Sequence, residues 1–380
     1  MLVPSPSPTD LIADAEDLAV VAARCAPQSE AERRLSGDVV EALRATGFAA
    51  HFVPAAHGGK EGTFTELSEA VARVGQSCAA TAWCASLVAN LGRMAGLLPA
   101  EGQAEVWATG PGTVVVGSLA PTGTAERVTG GWQVSGAWPY ISAVDFSDWA
   151  LLCARVPADG PAAARMFAVP RSAYQIADTW SNVGMSGTGS NTVTLEATVV
   201  PEARSFDRQN LFTGTPAVST AACHVVPLQA VNGLSFVTPV LGAARGAQRA
   251  WTAYVGDKIR GAAARPGAPA IERGPYDLVL ARASGEIDAA ELLIRRAAQV
   301  ADQGAGITPF EVSRNLRDCS LAMETVVTAV NRLFRAAGTS GHTTGSPVQR
   351  VWRDVNSAAS HIAVQFEPAA AAYATQVFKI

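Results

Sequence analysis

The chain has 380 residues, 48% hydrophobic and 16% charged, with a net charge of −4. That is enough for two or three domains around a large core. There is no basic run to meet a phosphate backbone, and no apolar stretch reaches the roughly 18 residues of a membrane span, so neither nucleic acid nor a membrane is an expected partner.

The opening MLVPSPSPTD has no basic or apolar signal region and reads as a short disordered tail. Six cysteines lie scattered in Ala- and Val-rich surroundings without a CxxC pair, as reduced buried thiols of a cytoplasmic protein would. Residues 10 to 110 place apolar residues at three- and four-residue spacing, as in DLIADAEDLAVVAARCA and LSGDVVEALRATGF. Ser36 is a candidate N-cap and Gly47 a stop for the second helix. HFVPAAHGGKEG is a loop by its Pro and Gly content, and two more helices follow in TFTELSEAVARVGQ and ATAWCASLVANLGRMAGLL.

The period changes over residues 113 to 205. TVVVGSL, GWQVSGAW, WALLCARV, RMFAVP and NTVTLEATVVP are short β-branched or alternating runs, with a hairpin turn at TGG (129 to 131). An all-β sandwich or barrel of about 100 residues is expected there. From residue 228 the helical pattern returns in four long segments: TPVLGAARGAQRAWTAYVGDKI, the YDLVLARASG segment, the PFEVSRNLRD segment, and SPVQRVWRDVNSAASHIAVQFEPAAAAYA. The Pro- and Ala-rich residues 261 to 275 interrupt the first two, and the set implies a four-helix bundle. The expected domains are a helical unit over 1–112, a β-barrel over 113–225 and a helical bundle over 226–380. Helices, then strands, then helices exclude a doubly wound α/β sheet, and no GxGxxG follows a strand.

The five histidines, His51, His57, His224, His342 and His361, form no ligand-spaced pair, so no metal site is expected. GMSGTGS has the outline of a nucleophile elbow, but a strand rather than a helix follows it. If the last segment is one helix, Arg350, Asp354 and His361 fall on one polar stripe. Two readings are open for it: a solvated face with an Arg350–Asp354 pair, or a seam that puts His361 at the floor of a cleft. In a regular strand Trp138, Tyr140 and Ser142 point to the same side. Core packing would explain the rings, and a flat ligand such as a flavin would satisfy the rings and the hydroxyl together.

Six stretches, in order, resemble the acyl-CoA dehydrogenase superfamily, and more closely the flavin-dependent monooxygenases that share its fold, such as the p-hydroxyphenylacetate hydroxylase oxygenases. They are ALRATGFAAHFVPAAHGG, TAWCASL, GSLAPTGTAERVTGGWQVSGAWPYISAVDFSDWALL, DTWSNVGMSGTGSNTVTLEATVVP, VLGAARGAQRA and SPVQRVWRDVNSAASH. The monooxygenase branch carries QRxWRDxxxxxxH, matched at Gln349, Arg350, Trp352, Arg353, Asp354 and His361. Where a dehydrogenase carries its acidic base, this chain reads AAGTSGHTTGSPVQR, with no acid. The family often has Ser-Gly where this chain has Ser142-Ala143.

The resemblance implies an oxygenase component that receives FADH2 or FMNH2 from a separate NAD(P)H:flavin reductase. It uses O2 through a C4a-hydroperoxyflavin to hydroxylate an aromatic or amine small molecule, in secondary metabolism. The alternative is a flavin desaturase of an acyl or carrier-bound substrate. By resemblance Ser142 and His361 are catalytic. Trp83, Ser118, Trp138, Tyr140, Ser142, Lys258, Arg260 and Arg350 bind the flavin, and His224 and His361 meet the substrate. A homotetramer is expected, with flavin between the β-domain and helices that include a neighbouring subunit's.

Overall fold

The computed structural model describes residues 10–157, 163–264 and 271–379. The expected disordered tail up to residue 9, and residues 265–270 of the Pro- and Ala-rich break, lie outside them.

Five helices open the chain: α1 (Leu11–Glu32), α2 (Gly37–Ala45), α3 (Phe64–Gly75), α4 (Ala79–Ala95) and α5 (Ala100–Val106). Asp10 caps α1 by accepting from the Ile12 amide at 3.0 Å, and Leu11, Ala15, Leu18, Ala22 and Cys25 form its buried stripe. Ser36 stands at the N-cap of α2, but its side chain makes no capping bond, and the helix ends at Ala45, ahead of Gly47. α4 is buried on almost every side, which its small residues permit: Ala, Ser, Cys and Gly let α3, α8 and the sheet close around it.

Strands β1 (Val115–Val128), β2 (Gly131–Ile141), β3 (Trp149–Val156), β4 (Ala163–Pro170), β5 (Gln175–Ala177), β6 (Asn191–Val200) and β7 (Ser205–Asp207) follow. The expected hairpin joins β1 to β2, with Val128 opposite Gly131. The expected barrel is not formed: the strands make one open sheet in the order β5-β6-β2-β1-β3-β4-β7. Its ends are the three-residue strands β5 and β7, which do not pair with each other. The sheet is mixed, because β1 and β3 run parallel.

Two short helices, α6 (Gln209–Thr213) and α7 (Ala222–Val225), lead to α8 (Leu228–Ala263), which is 36 residues long. Then come α9 (Gly274–Ala301), α10 (Pro309–Ala336), the single turn α11 (Gly338–Gly341), α12 (Pro347–Ala358) and α13 (Phe366–Phe378). Thr308 and Glu311 form a reciprocal capping box at the start of α10. α8, α9 and α10 pack together, and one apolar core runs from α1 through the sheet into them. The fourth long helix expected at the C-terminus is broken. α12 stops at Ala358, the Gln365 amide donates to the Ala359 and His361 carbonyls, and a 3₁₀ turn at Ile362–Val364 precedes α13. Arg350, Asp354 and His361 therefore share no helical stripe.

Candidate active site

The site lies where α4, the end of β2, α8 and the turn after α12 meet. Trp83, on α4, donates its indole N–H to Ser142 Oγ at 3.1 Å. Ser142 Oγ lies 2.7 Å from Ser190 Oγ, which lies 2.6 Å from Thr188 Oγ1, and Thr188 donates to the Met185 carbonyl at 2.8 Å. On the other side of Trp83 stand Phe236, at 5.1 Å between ring centroids, and His361, at 5.9 Å and edge-on. His361 stacks on Phe236 at 3.9 Å and 24°. Four ring and hydroxyl groups from four segments thus form one corner.

The tautomer of His361 follows from its bonds. Nδ1 accepts from the Ala363 amide at 3.2 Å, so in the neutral ring the proton sits on Nε2, which is a donor. Burial pushes the imidazole pKa down to about 4. His361 is therefore a neutral hydrogen-bond donor at physiological pH.

Trp138, Tyr140 and Ser142 do not share a face. The β2–β6 register shifts between Trp138 and Ile141, and Tyr140 takes a left-handed φ of 64°, so the alternation is lost there. Trp138 is fully buried and donates to the Cys153 carbonyl at 2.6 Å, against Gly123, where a Cβ would fall 2.1 Å from its ring. It is a core residue and cannot touch a flavin. Tyr140 instead stands 74% exposed, edge-on to Trp180 at 6.3 Å. Val183, three residues after Trp180, and Ile362, next to His361, are likewise exposed. An exposed Tyr ring against a Trp edge offers a surface on which a flat aromatic group can lie.

The QRxWRD segment acts as a fastening. Asp354 is buried and accepts from the Met185 amide at 2.6 Å, and desolvation raises its carboxyl to about 6. Arg353 donates to the Val183 carbonyl at 2.6 Å and pairs with Glu30 at 2.5 Å. Trp352 donates to Asn331 at 2.7 Å and stacks on Phe334. These bonds hold the Val183–Met185 turn, whose carbonyls anchor both Thr188 and Trp180. The sequence reading missed Phe236, Trp180, Thr188 and Ser190. Trp180, Thr188 and Ser190 lie in DTWSNVGMSGTGSNTVTLEATVVP, a stretch that carries the family resemblance but in which no single residue stood out as part of a site.

Other expected residues lie apart. His224 is fully buried with both ring nitrogens engaged, by Ser219 Oγ at 2.7 Å and the Phe52 carbonyl at 2.7 Å, so it has no face for a substrate. Lys258 donates to Tyr276 and Arg260 pairs with Asp257 on exposed turns of α8. They stand 22 and 24 residues beyond Phe236 on that helix, about 33 and 36 Å at 1.5 Å per residue, so they cannot join this corner within one subunit. Ser118 is half-buried on β1, with its hydroxyl 3.4 Å from the Ala120 amide. Arg350 is half-buried on α12, close enough to Asp354 for its charge to favour the carboxylate.

The fold is of the acyl-CoA dehydrogenase type. The family model for the acyl-CoA dehydrogenase C-terminal domain matches residues 234–366. The chain is 32% identical to the flavin-dependent monooxygenase oxygenase subunit HsaA of Rhodococcus jostii, over 93% of this chain and 94% of that protein. It is 33% identical to the FADH2-dependent resorcinol hydroxylase oxygenase component of a Rhizobium species, over 90% and 87%. The solved structure of XiaF from a Streptomyces species, in complex with FADH2 and glycerol, superposes with a TM-score of 0.87 at 29% identity, covering 97% and 95%. The chain belongs to the flavin-dependent monooxygenases, as the oxygenase component of a two-component system.

Proposed function

We propose that this oxygenase hydroxylates an aromatic small molecule, a phenol foremost, at the corner formed by Trp83, Ser142, Phe236 and His361. The observation that carries this reading is the neutral, donor-state His361 held against Phe236 beside an aromatic and hydroxyl seat. Relatives named for resorcinol, p-hydroxyphenylacetate and indole-3-acetate support an aromatic substrate. The desaturase alternative finds no support among these relatives, and no acid stands in the segment before α12.

When bound, reduced flavin activates O2 so that one oxygen atom goes to the substrate and the other leaves as water. The chain's own residues do the rest. Tyr140 and Trp180 offer a ring surface on one side, and Ser142 offers its hydroxyl at the rim. Phe236 and Trp83 exclude water from the corner, which lengthens the life of a group that water would quench. His361 donates Nε2–H to a phenol oxygen and orients the ring; with Nδ1 occupied by the Ala363 amide, it does not serve as a base in this geometry.

The long reach of α8 gives the assembly a role. Lys258 and Arg260 would serve the flavin of a neighbouring copy in a homotetramer, with Arg350 and Ser118 at the edges of the same seat. A separate NAD(P)H:flavin reductase supplies the flavin. The test is to combine the purified protein with a generic flavin reductase, NADH, FAD or FMN, and a panel of phenols, other aromatics and amines. Products are read by mass. A gain of one oxygen on a phenol supports the reading. Bleaching of a yellow protein by an acyl thioester, without oxygen gain on any aromatic, overturns it.

A further inference from the structure

The hydroxyls behind Ser142 have a forced order. A carbonyl can only accept, so at 2.8 Å from the Met185 oxygen Thr188 must donate its proton there. Thr188 Oγ1 and Ser190 Oγ are 2.6 Å apart and need a proton between them; only Ser190 has one left, so Ser190 donates to Thr188. The same argument makes Ser142 donate to Ser190 across 2.7 Å. At the other end the Trp83 indole can only donate, and it donates to Ser142. The chain runs Trp83, Ser142, Ser190, Thr188, Met185 carbonyl, with each hydroxyl proton committed. One valence of Ser142 remains, and it is a lone pair.

We propose that Ser190 and Thr188 are positioning residues that hold Ser142 as a hydrogen-bond acceptor, so that the site selects reduced over oxidised flavin. The inference rests on the proposed flavin seat at Ser142 and takes N5 as the flavin atom that meets its hydroxyl. Reduced flavin carries N5–H, a donor, which meets the lone pair. Oxidised flavin carries a bare N5, an acceptor, which meets a second acceptor. For Ser142 to donate outward, Ser190 would have to turn its proton back, then Thr188, and the Thr188 and Met185 oxygens would be left 2.8 Å apart with no proton between them. That reversal forfeits about one buried hydrogen bond, roughly a tenfold difference in dissociation constant.

The test is anaerobic binding of FAD, oxidised or reduced with dithionite, followed by equilibrium dialysis, with the ratio of the two dissociation constants as the readout. Thr188→Val keeps the shape but removes the acceptor for Ser190, which can then donate back to Ser142 and free its proton. Ser190→Ala frees that proton directly and serves as a second variant should Thr188→Val not fold. In both, the preference for reduced FAD should fall about tenfold, while Thr188→Ser retains it. If Ser142→Ala lowers the ratio and neither Thr188→Val nor Ser190→Ala does, the relay is wrong and the placement of Ser142 stands. If Ser142→Ala leaves both dissociation constants unchanged, the placement itself fails and the inference falls with it.

Discussion

His361→Phe separates the two things His361 does. The ring stacks on Phe236 at 3.9 Å, and its Nδ1 accepts from the Ala363 amide to cap the turn after α12. Phenylalanine keeps the stack, worth about 0.5–1.5 kcal/mol, and loses the cap, worth about 1 kcal/mol. Alanine loses both. Stability should therefore fall by about 1 kcal/mol in His361→Phe and about 2 kcal/mol in His361→Ala, read from thermal unfolding. The donor Nε2–H disappears in both. If it holds the substrate, its loss costs about 1–3 kcal/mol in oxygen transfer, roughly five- to a hundredfold. The assay is hydroxylated product per NADH consumed, with saturating reductase. The pH profile adds a check. The pKa is depressed from its ordinary 6.5 to about 4, so the ring stays neutral down to the acid range and contributes no titration of coupling between pH 8 and pH 6. A folded His361→Phe enzyme that couples like the wild type would refute the donor role.

Three other outcomes are expected. Ser142→Ala should leave folding largely intact but raise hydrogen peroxide released per NADH, with uncoupled loss about ten- to a hundredfold faster, read by oxygen electrode with and without catalase; unchanged peroxide release would take Ser142 out of the site. Asp354 has a folded pKa of about 6 against an ordinary 3.8, so its carboxyl favours folding below pH 4 and loses that contribution as pH rises through 6. Asp354→Asn, which keeps an acceptor for the Met185 amide, should exceed wild-type stability by up to about 3 kcal/mol at pH 8 and by little at pH 4 in urea titrations; an equal gain at both pH values would contradict it. His51 is fully buried and donates to the Thr63 carbonyl, with its pKa lowered to about 4, so its contribution is present above pH 6.5 and is lost as pH falls toward 4. His51→Gln, which keeps a donor, should lose about 2 kcal/mol less than the wild type between pH 7 and pH 5, and an unchanged loss would count against the assignment.

The architecture was legible where periodicity was long. α1, α3, α4, α9 and α10, and strands β1 to β4 and β6, follow from apolar spacing and turn residues. Closure of the sheet was not legible, because it depends on whether the end strands meet, and β5 and β7 are three residues long and carry almost no pattern. The break at His361 was hidden for a different reason. SAASHIAVQF has no Pro or Gly, and the helix is stopped by a side chain, Gln365, reaching back to two carbonyls. The aromatic face of β2 failed on Tyr140, whose left-handed backbone no alternation rule anticipates. Ser142 and His361 were found through the resemblance, and the structure brings them together through Trp83. Phe236 had no signal at all, since on a helix as apolar as α8 one more buried ring is indistinguishable from core.

Among the described residues the open sheet has seven strands and two margins, and a margin is where a foreign chain could add itself as a further strand. Here the three-residue strands β5 and β7 occupy part of those margins, covering Thr192, Val193 and Thr194 of β6 and Arg165, Met166 and Phe167 of β4, and each can itself lend an intruding strand only one or two ladder bonds. A pairing so brief does not repay the ordering of a partner segment. The long strands most able to template fibril growth, β1 with 14 residues and β2 with 11, are shielded in the middle of the order. The sheet thus keeps its two longest strands away from its borders, which consist of β5, β7 and the stretches of β6 and β4 that these short strands leave uncovered.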